Sequence, residues 1–141
     1  MKKLYFVGLM LLFLTSCKLE NDSYSHFYDY VDIAQTLIPA TAYVGDSVLI
    51  HTTAVANNGC WKNLKLFYGR INDTLYAINA QGEYESYNNL CPEVVVMADS
   101  IFTFIPDTTG TFIFVSQSRN RSNVYDTLQV SLPQFEPDFG D

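Results

Sequence analysis

The sequence is short of positive charge. Lysine and arginine together number 8 against 15 aspartates and glutamates, for a formal net charge of −7. Nucleic acids and anionic headgroups are held through clustered basic side chains, so neither is expected as an electrostatic partner. Charge of either sign is sparse, at 16% of residues against roughly 25% in ordinary soluble domains. Histidines are few, and His26 and His51 stand at no metal-ligand spacing from the cysteines, so no metal and no cofactor is expected. The chain has no GxSxG elbow, no HExxH and no phosphate-binding glycine loop. Ser25-His26 falls in a segment with nothing to orient it, and Glu83 and Glu85, two apart, read as a solvated strand face. Asp22, Asp29 and Asp32 do not form a calcium loop. An enzyme is therefore not expected. Long apolar runs are missing too. Leu4 to Leu14 is uncharged but only 11 residues long, where a membrane-spanning helix needs about 20.

That short run has a different meaning. It follows a basic start, Lys2-Lys3, and ends Leu14-Thr15-Ser16-Cys17. A basic head, an apolar core of this length and small residues before the end describe a secretory signal. The four closing residues resemble the bacterial lipobox: an aliphatic residue, two small ones, then cysteine. The resemblance implies that residues 1–16 are a signal peptide and that Cys17 is lipidated and becomes the new amino terminus. Two or more acyl chains anchor a protein stably without any membrane span. Residue 18 is Lys rather than Asp, which in the familiar sorting scheme points to the outer membrane, on the periplasmic or the cell-surface face.

Taking 16 residues from 141 leaves 125, enough for one domain with its own core. Two lysines go with the signal, leaving 6 basic side chains against 15 acidic, a net charge of −9. The odd cysteine count is accounted for if Cys17 carries lipid. Cys60 and Cys91 then meet an oxidising compartment and are expected to pair. Such a bridge closes a loop of about 31 residues, for roughly 3.5 kcal/mol in the chain-entropy account.

Residues 17–30 are polar and aromatic without a period and read as a tether. Residues 31–132 consist of short runs rich in Val, Ile, Thr, Phe and Tyr, punctuated by Gly, Asn, Asp or Pro, the pattern of an all-β domain. Expected strands are 31–43, broken at Pro39; Ser47–Val55, with Val48, Ile50, Thr52 and Ala54 inward and His51 outward; Trp61–Tyr68, with Trp61, Leu64, Leu66 and Tyr68 near the core; 74–79; 83–87, after a hairpin at Ala80-Gln81-Gly82; 92–97, buried on both faces; 100–105; 111–118; and 124–132. The tail, 133–141, carries Phe135 and Phe139 and reads as extended.

"VGDSVLI" (44–50), "PDTTGTFIFVSQS" (106–118) and "YDTLQV" (125–130) resemble bacterial immunoglobulin-like domains over about residues 36–131. The resemblance implies an antiparallel β-sandwich of about 7–9 strands, with a Gly-Asp turn opening the second strand and an Asp-x-x-Gly turn opening the penultimate one. There are departures. Phe112 stands where the family's corner tyrosine would be, and the cysteines are loop-proximal instead of mid-strand. With the lipobox, the chain looks most like small outer-membrane lipoproteins of Gram-negative bacteria.

Asp followed by Ser or Thr recurs, making Ser47, Thr74, Ser100, Thr108 and Thr127 candidate O-glycosylation acceptors; ordinary Asp turns opening strands account for the same pattern. Both readings place these residues at strand starts. The expected role is a non-enzymatic, lipid-anchored binding or structural module for an envelope protein. The alternative is a carbohydrate-binding module that stacks sugars on exposed rings such as Tyr84 and Tyr87, which a regular strand would aim to opposite faces.

Overall fold

A computed structural model of the chain describes residues 23–134. The signal segment, Cys17, Phe135 and Phe139 lie outside the described residues. Among the described residues there is no helix, and the all-β expectation holds. Eight strands form: β1 (Tyr24–Leu37), β2 (Thr41–Tyr43), β3 (Val48–Ala56), β4 (Trp61–Arg70), β5 (Leu75–Tyr87), β6 (Val96–Phe104), β7 (Gly110–Ser116) and β8 (Val124–Ser131).

They make one mixed sheet in the order β2-β8-β7-β5-β1-β3-β6, with β4 on the other edge of β5. β1 is the bend. Its first half pairs antiparallel with β5, from Tyr24↔Tyr87 to Val31↔Ala80. Its second half pairs antiparallel with β3, from Asp32↔Val55 to Leu37↔His51, with the register slipping between Ile33 and Gln35. A bulge of this kind bends a strand and strengthens its twist. The sheet therefore curls, and β4 and β6 face each other across the interior, where the Tyr68 and Phe102 rings stack at 5.4 Å. β5 also pairs parallel with β7, and β2 pairs parallel with β8, so the sheet is not antiparallel throughout.

The core follows from period-2 alternation. β3 buries Val48, Ile50, Thr52, Ala54 and Ala56 and turns Leu49 and His51 outward, as its sequence predicts. Ile78 and Ala80 of β5, Phe112 and Phe114 of β7, and Leu128 and Val130 of β8 complete the buried set with Trp61 and Phe104. Rings dominate one end: Phe104 meets Phe112 at 5.0 Å and Tyr76 at 5.1 Å. The Val44-Gly45-Asp46 turn forms as expected, with Gly45 at φ 88° and Asp46 Oδ2 accepting the Tyr43 N–H at 2.8 Å. Pro39 falls in the step between β1 and β2.

Three expectations change. Residues 24–30 are strand rather than tether; their polar and aromatic side chains pair with β5 while both faces keep contact with water. There is no hairpin at 80–82. β5 runs unbroken, and Gly82 is needed because a Cβ there would lie 2.6 Å from Leu64 Cδ2 and 3.0 Å from Trp61 Cε3. The run 92–97 is not buried on both faces: Val94 and Val95 precede β6 and are exposed, and β6 begins only at Val96, runs through the expected break before Ser100 to Phe104, and is an edge strand with Met97 exposed.

Candidate functional site

The outer face of the β1–β5–β4 ladder carries the densest polar chemistry among the described residues. Alternation turns Tyr24, His26 and Tyr28 of β1 outward, opposite Tyr87, Glu85 and Glu83 of β5. On the far side of β5, Lys62 stands opposite Glu83 and Lys65 opposite Gln81, with a bulge between them. The bulge puts Asn63 at φ 52°, a left-handed conformation that Asn tolerates better than most residues.

Glu83 is the hub. His26 Nε2 lies 2.8 Å from its Oε1, Asn63 Nδ2 donates to its Oε2 at 2.7 Å, and Lys62 Nζ is 3.5 Å away. These donors hold its carboxyl at about 2, His26 contributing most and Asn63 next. Glu85 accepts from Lys62 and from the Tyr24 hydroxyl, and both lower its pKa, Lys62 more. Beside this network lies a shallow trough of about 570 Å³. Tyr28 and Phe67, 70% and 44% exposed, flank it, and Asn63, Lys65, Gln81 and Glu83 supply donors and acceptors. Exposed rings beside fixed polar groups suit a ligand with flat apolar faces and a hydroxylated rim.

The inner side of the same strands forms a second, smaller hollow of about 270 Å³. Phe27 stacks on Tyr84 at 4.7 Å, and Trp61 meets Tyr84 edge-on at 5.2 Å. Arg119 covers the hollow, with its guanidinium 5.7 Å from the Trp61 ring centre and 3.0 Å from Asp29.

Cys60 and Cys91 are bonded, Cα atoms 5.1 Å apart, and tie the start of β4 to the loop after β5. Tyr84 and Tyr87 point to opposite faces: Tyr84 lies in the inner ring cluster, while Tyr87 packs on Tyr24 at 4.8 Å. Ser25 pairs with Ser86 on the face away from His26, so the two adjacent residues share no site. His26, however, is held by the sheet and by Glu83, contrary to its reading as unoriented. Asp29 and Asp32 are engaged by Arg119, Asn120 and Arg121. Among the described residues no group of three or more His, Cys, Asp or Glu is placed to hold a metal. Ser47, Thr74 and Thr108 precede β3, β5 and β7 and are exposed. Ser100 and Thr127 sit within β6 and β8 instead of at their starts, Ser100 half-buried and Thr127 exposed.

Tyr28, Phe67 and Asn63 went unread in the sequence. The period-2 spacing Tyr24-His26-Tyr28 was the available signal, but no hydrophobic alternation marked this stretch as strand. No family model, curated protein or solved structure matches this chain.

Proposed function

We propose that the chain is a non-enzymatic lipoprotein of the Gram-negative outer membrane, exported by residues 1–16 and anchored through lipid on Cys17. Its domain serves as a binding or structural module toward an envelope protein. The observation carrying this reading is the lipobox, Leu14-Thr15-Ser16-Cys17, behind a basic head and an apolar run too short to span. The bonded Cys60–Cys91 pair fits an exported chain.

The immunoglobulin-like sandwich belongs to the same proposal. In its favour, β1, β3 and β6 are antiparallel neighbours in the order of the first, second and fifth strands of that fold, and β7 pairs with β8 as its last two strands do. The parallel neighbour of β7, β5, is a departure from that scheme.

The test is a Cys17→Ala variant and cell fractionation. The wild type is expected in the outer-membrane fraction at a processed size, and the variant as an unprocessed or soluble chain. A processed variant that still pellets with envelopes overturns the proposal.

The trough between Tyr28 and Phe67 favours a second reading, a surface that binds carbohydrate. Tyr84 takes no part in it, because its ring is packed against Phe27 and Trp61. A glycan array probed with the purified domain decides; a blank array removes this reading and leaves the first standing. The exposed Ser47, Thr74, Thr108 and Thr127 fit either glycan acceptors or turn residues, and intact mass separates the two through hexose increments.

A further inference from the structure

Exposed apolar side chains occur on several faces of the fold, and one group of them surrounds the place where the chain joins the sheet. Tyr24 opens β1 and packs on Tyr87, the last residue of β5; the two are 52% and 64% exposed. The segment that follows, residues 88–95, carries Leu90 at 77% exposure and Val94 at 53%. It is not a loose loop. Cys91 is bonded to Cys60, the Gly59 N–H donates to the Pro92 carbonyl at 2.8 Å, and Ser23 and Asn88 clasp each other through two hydrogen bonds. Apolar side chains scattered singly on a surface are ordinary, but a held group such as Tyr24, Tyr87 and Leu90, each beside the next, suits a docking face.

The chain's own geometry indicates what covers them. Only six residues, Lys18 to Ser23, separate Cys17 from Tyr24. Fully extended, that link reaches about 25 Å. Lipid on Cys17 therefore keeps this end within about 25 Å of the bilayer surface, near enough to touch it. Tyrosine rings favour the membrane–water boundary, where the ring is sheltered and the hydroxyl stays wet. Glu93 is the only charged side chain from Tyr87 to Val95, and Glu85, bonded to the Tyr24 hydroxyl, is paired with Lys62, so contact there is mainly apolar.

We propose that the end bearing Tyr24, Tyr87, Leu90 and Val94 docks on the lipid surface, so that the domain stands on the membrane in one orientation. This rests on the reading of Cys17 as lipidated. It places the Tyr28–Phe67 trough on the side of the standing domain, with the 105–109 turn at the far end.

The test uses the mature lipidated protein, reconstituted in phosphatidylcholine vesicles with and without brominated acyl chains. Two variants each add one tryptophan, Leu90→Trp at the docking end and Thr108→Trp at the far end. The added emission of L90W is expected to be quenched by the brominated chains, and that of T108W is not. Equal quenching in protein that floats with the vesicles overturns the docking proposal and leaves the anchor intact. Protein that does not float overturns the anchor, and docking with it. The unsubstituted chain gives an independent readout: amide exchange over 88–95 slows on vesicles relative to the Cys17→Ala protein in solution, while exchange over 105–109 is unchanged. Unchanged exchange over 88–95 also overturns docking.

Discussion

Ser23 and Asn88 clasp each other across 65 positions of sequence. The Ser23 N–H donates to Asn88 Oδ1 at 2.8 Å, and the Asn88 N–H donates to the Ser23 carbonyl at 2.7 Å. Asn88 sits at φ 54°, which a Cβ-bearing residue without a helpful side chain adopts at a cost of about 1–2 kcal/mol. Asn88→Ala loses both advantages and is expected to destabilise the domain by about 2 kcal/mol. Asn88→Gly keeps the backbone conformation and loses the side-chain interactions, so it should cost less. Denaturant titration of the two variants checks the order; equal losses would show that the backbone conformation does not matter.

The Cys60–Cys91 bridge spans 31 positions and ties the start of β4 to the loop that follows β5. Removing it by Cys60→Ser with Cys91→Ser is expected to cost about 3–4 kcal/mol, since the unfolded chain regains the freedom the bridge removed. Reduction of the wild type should give the same loss. A midpoint in guanidinium unchanged by either treatment would contradict this assignment.

Thr52 is 2% exposed, and its hydroxyl has no hydrogen-bond partner. An unpaired buried hydroxyl costs about 1–3 kcal/mol. Thr52→Val keeps the shape and removes that oxygen, so it is expected to raise stability by about 1 kcal/mol. Tyr68 presents the same situation with a phenol, and burial raises its pKa. Tyr68→Phe should be neutral or stabilising. Calorimetric melting of both variants is the check, and a fall in either would mean the hydroxyl has a partner in solution.

The domain's pH response should run through Glu83. Its carboxyl titrates at about 2 in the folded chain against an ordinary value of 4.5, held down first by His26 and then by Asn63. A lowered folded value means the unfolded chain takes up the proton first as the solution is acidified. The stabilisation is therefore fully present above pH 4.5 and is lost as pH falls toward 2. Glu83→Gln keeps an oxygen for Asn63 but has no charge to lose. Its stability between pH 4.5 and 2 is expected to fall less steeply than the wild type's, and parallel curves would contradict the assignment.

How far the fold could be read in advance depended on which faces are buried. β3 was legible because one face is dry and the other wet, so Val48, Ile50, Thr52 and Ala54 announce themselves. The first half of β1 has no such contrast: Tyr24, His26 and Tyr28 face water, and Phe27 on the other face is itself 41% exposed. Apolarity misled in the other direction at Val94 and Val95, which lie in the segment before β6 and are uncovered there. Of the candidate site, the shared face of Glu83 and Glu85 follows from alternation alone. His26, the partner of Glu83, lies 57 positions away and is brought to it only by the β1–β5 pairing, which no local pattern encodes.

The reading of Gly82 as a turn failed for a reason that is itself testable. Glycine in a strand interior marks either a bend or a close approach. Here a Cβ would meet Leu64 Cδ2 at 2.6 Å, Trp61 Cε3 at 3.0 Å and Val31 Cγ1 at 3.3 Å. Leu64 is half-buried and can rotate its methyl away; the Trp61 ring cannot, since it is wedged against Phe27 and Tyr84. Overpacking of this kind costs about 1–3 kcal/mol. Against it, alanine restricts the unfolded chain and returns about 0.4–1 kcal/mol. The crowding should win, leaving Gly82→Ala destabilised by about 1 kcal/mol. Pairing it with Leu64→Ala, which clears the nearest methyl, should give a smaller total loss than the two single losses added together. Strict additivity in that cycle would mean the two residues do not meet, and the unbroken course of β5 past Trp61 would have to be redrawn.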